Sequence, residues 1–215
     1  MTTTRTSTPT VMDVLAADRV LTVVRAPRIP DAAALCRALA EGGIRTVELT
    51  FTTPDLTGHL RAAAAVAAET GCRIGAGTVL TAGDAAAAVD AGAEFLVTPG
   101  LRPEVAAVGR ERGVPVVMGA FTPTEVLTAL DLGAAAVKIF PAHALGPRYF
   151  KDLRGPLPDV RLLPSGGVNA GNAGEFLAQG AIAVSAGTDA VPPQAVASGD
   201  WPEITRRARE FTAAL

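Results

Sequence analysis

Lys138 stands alone in an apolar run, Ala134-Ala135-Ala136-Val137-Lys138-Ile139-Phe140-Pro141-Ala142. Elsewhere the chain writes its cations as arginine: of 19 basic residues only Lys138 and Lys151 are lysine. An ammonium inside a sheet or barrel is costly unless paired, and burial favours the neutral, nucleophilic amine. A Schiff-base lysine needs that form. An ion pair with a carboxylate, or a buried stem with its head in water, would account for the residue as well. Val47-Glu48-Leu49-Thr50 offers a partner. Strand alternation puts Val47 and Leu49 on one face and Glu48 and Thr50 on the other; it separates Val137 and Ile139 from Lys138 and Phe140 in the same way. Glu48 and Lys138 then point into one interior. They form either a buried ion pair or an amine nucleophile beside a carboxylate proton shuttle.

Two glycine turns suggest an anion site. Pro164-Ser165-Gly166-Gly167-Val168-Asn169 and Ser185-Ala186-Gly187-Thr188 each close an apolar segment. Such turns expose backbone N–H groups, and a helix starting near Asn169 would add partial positive charge. Tight turns alone would look similar, but two of them on neighbouring strands favour phosphate. In Gly75-Ala76-Gly77-Thr78 the small residues leave interior space, and Thr78 is a candidate for a ligand carboxylate or water; close packing would also explain the glycines. Thr98-Pro99-Gly100 reads as a stiff rim. Phe140 reads as an apolar wall or as ordinary core.

These residues need a scaffold that gathers strand ends. Gly43, Gly71, Gly92, Gly113, Gly133, Gly155 and Gly180 recur every 20 to 28 residues, each after a helix-like segment and before an apolar one. Strands are expected at 46–50, 73–77, 94–98, 114–119, 136–141, 161–166 and 181–187, with one more at 20–25. Alanine-rich segments such as 31–40, 55–70 and 81–91 read as helices, started by Asp31, Pro54-Asp55, Thr122-Pro123 and Asn169. Eight alternating units in 215 residues predict a single-domain α/β fold, a (β/α)8 TIM barrel, over residues 11–215. An open doubly wound sheet is the alternative. Residues 1–10, rich in threonine, are expected to be a mobile tail.

Composition narrows the function. A net charge of −2 suggests neither nucleic acid nor an acidic membrane surface as partner. Cys36 and Cys72 form no disulfide framework, and His59 and His143 are too few and too far apart for a zinc site. The alanine run at 62–68 is too short to span a bilayer. A soluble cytoplasmic protein acting on a small molecule is expected.

Taken together, Val47 to Pro54, Gly75 to Leu80, Thr98-Pro99-Gly100-Leu101, Val137 to Ala142 and Pro164 to Val168 occur in the order and spacing of 2-keto-3-deoxy-6-phosphogluconate aldolases. The chain resembles that family, which includes the bifunctional 4-hydroxy-2-oxoglutarate aldolases, from about residue 20 to the C-terminus. The resemblance implies a class I aldolase without metal or cofactor, usually a homotrimer. By motif it makes Lys138 the imine former and Glu48 the general acid/base. It gives Thr78 the pyruvate carboxylate and Pro99 and Phe140 the pocket walls; Gly166, Gly167 and Thr188 take the phosphate, with Ser165 beside them. Thr52 stands where some relatives have a carboxylate-binding arginine, and Arg25 is the candidate to replace that charge. Ser165 replaces a common threonine, Thr188 a serine and His143 a glutamate. Rival readings are a phosphate-binding barrel isomerase or epimerase, with Glu48 as proton shuttle, and a non-catalytic oligomeric scaffold or metabolite binder.

Overall fold

The computed structural model describes residues 9–215. Eight parallel strands run β1 Val20–Val24, β2 Thr46–Thr50, β3 Arg73–Gly77, β4 Phe95–Val97, β5 Val116–Ala120, β6 Ala136–Ile139, β7 Leu162–Pro164 and β8 Val184–Ala186. Ladders join them in the order β7-β6-β5-β4-β3-β2-β1-β8. The ring closes between β7 and β8, where the Ile182 N–H donates to Leu162 O at 3.0 Å. This is the expected (β/α)8 barrel. Six strands are shorter or shifted at their bounds: 20–25 and 136–141 lose one and two residues at their ends, 94–98 contracts to β4, 161–166 to β7 and 181–187 to β8, while β5 begins two residues late and ends one later.

Helices cover the outside. They are α1 Val11–Asp18, α2 Ala32–Glu41, α3 Leu56–Ala64, α4 Ala67–Thr70, α5 Ala82–Asp90 and α6 Pro103–Arg112, then α7 Pro123–Asp131, α8 Arg148–Arg154, α9 Ala173–Ala178, α10 Pro193–Ser198 and α11 Trp201–Thr212. Their starts follow from caps. Asp31 caps α2 through the Ala34 N–H at 2.9 Å, and Thr81 and Thr122 form capping boxes with Asp84 and Glu125. Gly113 ends α6 at φ +67°, a left-handed conformation that costs glycine nothing. The segment 55–70, expected as one helix, is two. Val66 leaves helical geometry (φ −108°, ψ 5°) between α3 and α4, which turns its side chain into the core.

Alternation divides the core into two layers. Val47, Leu49, Ile74, Ala76, Val137 and Ile139 pack outward under the helices. Leu21, Phe95, Val97, Val117, Ala136, Leu163 and Ala183 fill the lower lumen, joined there by Val11 and Leu15 of α1. Helix α1 thus plugs the N-terminal end of the barrel. The stretch expected as a tail, 1–10, ends at the cap of this helix: Thr10 accepts the Asp13 N–H at 3.2 Å while its own N–H donates to Asp13 Oδ2 at 2.9 Å. Pro9 O also accepts from Arg73 Nη2 at 2.7 Å. Residues 1–8 of that expectation lie outside the described residues. With the lower lumen filled, the interior opens at the C-terminal strand ends.

Candidate active site

Glu48 on β2 and Lys138 on β6 face each other across the upper lumen, Nζ to Oε2 at 3.9 Å. Both are buried, at 1% and 7% exposure. Ladders on both sides fix each: Glu48 is in register with Val23 and Gly75, Lys138 with Gly119 and Leu163. Glycines make the space. A Cβ on Gly77 would overlap the Glu48 carboxylate, one on Gly75 would stand 2.5 Å from the Phe95 ring, and one on Gly119 would overlap the Pro99 backbone. Neither Glu48 carboxylate oxygen accepts a hydrogen bond among the described residues. Burial pushes this carboxyl above the usual carboxylate range, against the pull of Lys138 and Arg25. Phe140, exposed at the rim, brings its ring centroid to 5.6 Å from Lys138 Nζ, within cation–π reach.

A second group forms over the ends of β1, β2 and β3. Arg25 Nη1 donates to Thr52 Oγ1 at 3.0 Å, and Arg25 Nη2 to Thr78 Oγ1 at 3.3 Å. Thr52 Oγ1 also lies 2.9 Å from Thr50 Oγ1, which donates to Val24 O at 3.1 Å. Thr78 adopts φ +56°, a strained conformation for a β-branched residue and one that clusters at ligand clamps. The three residues make a cationic, hydroxyl-lined corner fitted to a carboxylate. Opposite it, Thr98 Oγ1 donates to Gly100 O at 2.7 Å and accepts the Gly119 N–H at 3.2 Å, which holds Pro99 against the pocket.

The third group lies across the β7–β8 closure. Gly166 and Gly167 both have positive φ, +85° and +79°. Two contacts hold their turn to the segment after β6: the Ala142 N–H donates to Ser165 O at 2.7 Å and the His143 N–H to Gly166 O at 3.1 Å. His143 walls off Gly167, where a Cβ would come within 2.5 Å of His143 Cβ. Among the described residues, the N–H groups of Gly166, Gly167 and Thr188 donate to no acceptor. Free N–H groups lining one cavity can form an anion nest. The helix expected to begin near Asn169 starts only at Ala173 and is six residues long. Asn169 caps turns instead, accepting the Gly171 N–H at 2.9 Å, so the donors are those of the turn itself.

A cavity of about 750 Å³ connects the three groups. Arg25, Thr78, Pro99, Lys138, Phe140, Ser165, Gly166, Gly167 and Thr188 all line it. Thr52 touches it through Arg25, and Glu48 lies behind its floor beside Lys138. Sequence reasoning missed Asp189 and Arg207 and named Ser185 only as part of its glycine turn; all three line the same cavity. Ser185 was available from alternation along β8, two residues beyond Ala183; nothing local marked Arg207. No group of three His, Cys, Asp or Glu side chains among the described residues could hold a metal ion.

Comparison with known proteins gives the family. The aldolase family profile described as "KDPG and KHG aldolase" matches residues 11–207. The 2-dehydro-3-deoxy-phosphogluconate aldolase of Treponema pallidum is 40% identical over 201 residues, covering 91% of this chain and 93% of that protein. The KHG/KDPG aldolase of Escherichia coli K12 is 32% identical over 198 residues, 92% of each chain. A crystal structure of KDPG aldolase from Legionella pneumophila, with pyruvate captured as a covalent carbinolamine, superposes with a TM-score of 0.84 at 31% identity, over 95% of this chain and 99% of that one.

Proposed function

The chain belongs to the KDPG and KHG aldolase family, and from that premise we propose that Lys138 and Glu48 carry its class I aldolase chemistry on 2-keto-3-deoxy-6-phosphogluconate. The observation that carries the assignment is the single cavity, with a buried amine–carboxylate pair at its floor, an arginine corner at one end and an anion nest at the other. A keto acid with a distal phosphate fits that order of groups. Arg25, Thr52 and Thr78 hold the carboxylate, so the C2 ketone lies over Lys138. The N–H groups of Gly166, Gly167 and Thr188 take the phosphate, with Ser165 beside them. Pro99 and Phe140 shape the walls between.

The neutral Lys138 amine attacks C2, the Glu48 carboxyl protonates the departing C2 hydroxyl, and loss of water from the carbinolamine leaves a protonated imine beside a Glu48 carboxylate. Glu48 takes the C4 hydroxyl proton as the C3–C4 bond breaks. The bonding pair moves into the imine to give an enamine, and glyceraldehyde 3-phosphate departs. Glu48 then returns a proton to C3, and water hydrolyses the imine to free pyruvate and Lys138. This cycle asks Glu48 to act in both protonation states, and a carboxyl raised by burial suits it. The 3.9 Å gap between Nζ and Oε2 is wider than a hydrogen bond and leaves the carboxylate free for the substrate hydroxyl. In the same site 4-hydroxy-2-oxoglutarate is the smaller second substrate, giving pyruvate and glyoxylate.

A cytoplasmic homotrimer completes the proposal. Phe121, Leu127 and Leu130 are 37–49% exposed at and beside α7, an apolar face suited to a second copy. Borohydride reduction in the presence of pyruvate, read by intact mass and peptide mapping, tests the chemistry. A pyruvate-derived adduct on Lys138 is expected. No adduct from folded protein, or an adduct on Lys151 alone, sinks the assignment.

A further inference from the structure

Three cations line the cavity, and two of them belong to the keto-acid end: Arg25 in its threonine corner and Lys138 beside Glu48. The third is Arg207, from the last helix α11, at the anion-nest end. That end also holds a carboxylate. Asp189, one residue beyond Thr188, accepts the Ala170 N–H through Oδ2 at 2.9 Å and so ties the β8 turn to the β7 turn. Neutral N–H donors beside a carboxylate form a poor seat for a phosphate dianion, because like charges at close range repel. A cation at this end offsets that repulsion.

Arg207 is placed for the task and only partly committed elsewhere. Its Nε donates to Glu203 Oε1 at 2.6 Å, one helical turn back, which orients the guanidinium plane. Nη1 makes only a long contact of 3.3 Å with the Asp189 backbone carbonyl, and Nη2 has no partner among the described residues. Glu203 is itself held by Arg206 at 2.7 and 2.8 Å, so the anchoring carboxylate is fixed in turn. A planar fork with free Nη donors beside an N–H nest matches the geometry of phosphate oxygens.

We propose that Arg207 is the phosphate-selecting residue of this site, a cation delivered by α11 that lets the nest accept a phosphorylated aldehyde despite Asp189. The proposal rests on the aldolase reading above and concerns its distal subsite. Losing one charge-assisted contact in a partly exposed pocket lowers kcat/KM by about tenfold. Arg207→Gln is therefore expected to cut the preference for the 6-phosphorylated substrate over its dephospho form by that factor, through KM rather than kcat. Arg207→Lys keeps the charge and recovers part of the preference. Arg209→Gln, which removes another α11 cation, one paired to Glu41 of α2, leaves the preference at its wild-type value. Inorganic phosphate binding, read as protection against thermal unfolding, repeats the comparison without turnover: wild type is protected and Arg207→Gln is not. Equal preference in wild type and Arg207→Gln, or equal phosphate protection in both, overturns the proposal. Failure of wild type to trap pyruvate overturns the aldolase reading instead, so the two failures are distinct.

Discussion

Replacing Gly77 by alanine separates the carboxylate from the amine. Gly77 ends β3 in ordinary strand geometry without positive φ, so its backbone accepts alanine. The obstacle is Glu48. A Cβ at Gly77 would stand 2.5 Å from Glu48 Cγ and closer still to the carboxyl carbon and Oε1. Ordinary van der Waals contact begins at 3.4 Å, so the Glu48 side chain must withdraw by about 0.9 Å (3.4 − 2.5) at Cγ and by more at its tip. Misplacing a catalytic group by about 1 Å costs on the order of 100-fold in rate, equivalent to about 2.7 kcal/mol of barrier. Lys138 sits on β6, on the other side of the lumen, and keeps its ladder contacts. The expected phenotype is split: kcat for aldol cleavage, followed by pyruvate release in a coupled assay, falls about 100-fold. Endpoint borohydride trapping of pyruvate on Lys138 persists. The single variant also melts lower than wild type. Adding Glu48→Ala removes the overlapping atoms and restores part of the lost Tm, a non-additivity expected of groups in contact. A kcat within about threefold of wild type would refute the steric reasoning. Simultaneous loss of trapping and turnover in a folded variant would refute the separation of roles.

Two other outcomes follow from the charges. Because burial raises the Glu48 carboxyl above its ordinary 4.5, the folded protein binds that proton more tightly than the unfolded chain does. The stability this contributes is complete below about pH 4.5 and is lost as pH rises through the raised folded value. The Tm of Glu48→Gln relative to wild type should therefore climb from pH 4.5 upward and level off above that value; a gap independent of pH would show that the carboxyl is not shifted. For the arginine corner, Arg25→Gln is expected to raise the pyruvate concentration for half-maximal trapping about tenfold, and Thr52→Arg on that background to lower it again by returning the charge one strand over. Unchanged pyruvate dependence in Arg25→Gln would remove Arg25 from the site.

Much of the site was legible in the sequence because strand alternation is a strict rule. Once 46–50 and 136–141 read as strands, Glu48 and Lys138 had to share the lumen, and Arg25 and Thr78 followed as residues just past strand ends. The interior glycines were legible as space, though not what fills it: the Glu48 carboxylate, the Phe95 ring and the Pro99 backbone occupy three such places through contacts between neighbouring strands. Other features lay beyond local pattern. The Thr10–Asp13 capping box sits in a threonine-rich stretch whose composition reads as tail, and α1 finds its partners in the barrel floor, far along the chain. In 55–70 a run of alanines gives no periodic cue for the break at Val66. Arg207 lies 19 residues after Thr188, and only the packing of α11 against α2 and α10 brings the two to one cavity.

The ring is not equally strong around its circumference. β2 and β3 are in register over five residues and β5 and β6 over four, and these strands carry Glu48 and Lys138. Between β7 and β8, three residues each, no ladder is recorded, and the Ile182–Leu162 bond below and the Asp189–Ala170 contact above bridge the gap. In the proposed site, the half that carries the amine and carboxylate is therefore the more firmly laddered one, and the half assigned to the aldehyde's phosphate rests on two turns joined by single contacts. Substitutions in those two short turns and in α11 would alter the width of that half, and with it the length of aldehyde accepted, on the proposed assignment. The strands that hold Glu48 and Lys138 lie outside those turns and keep their register.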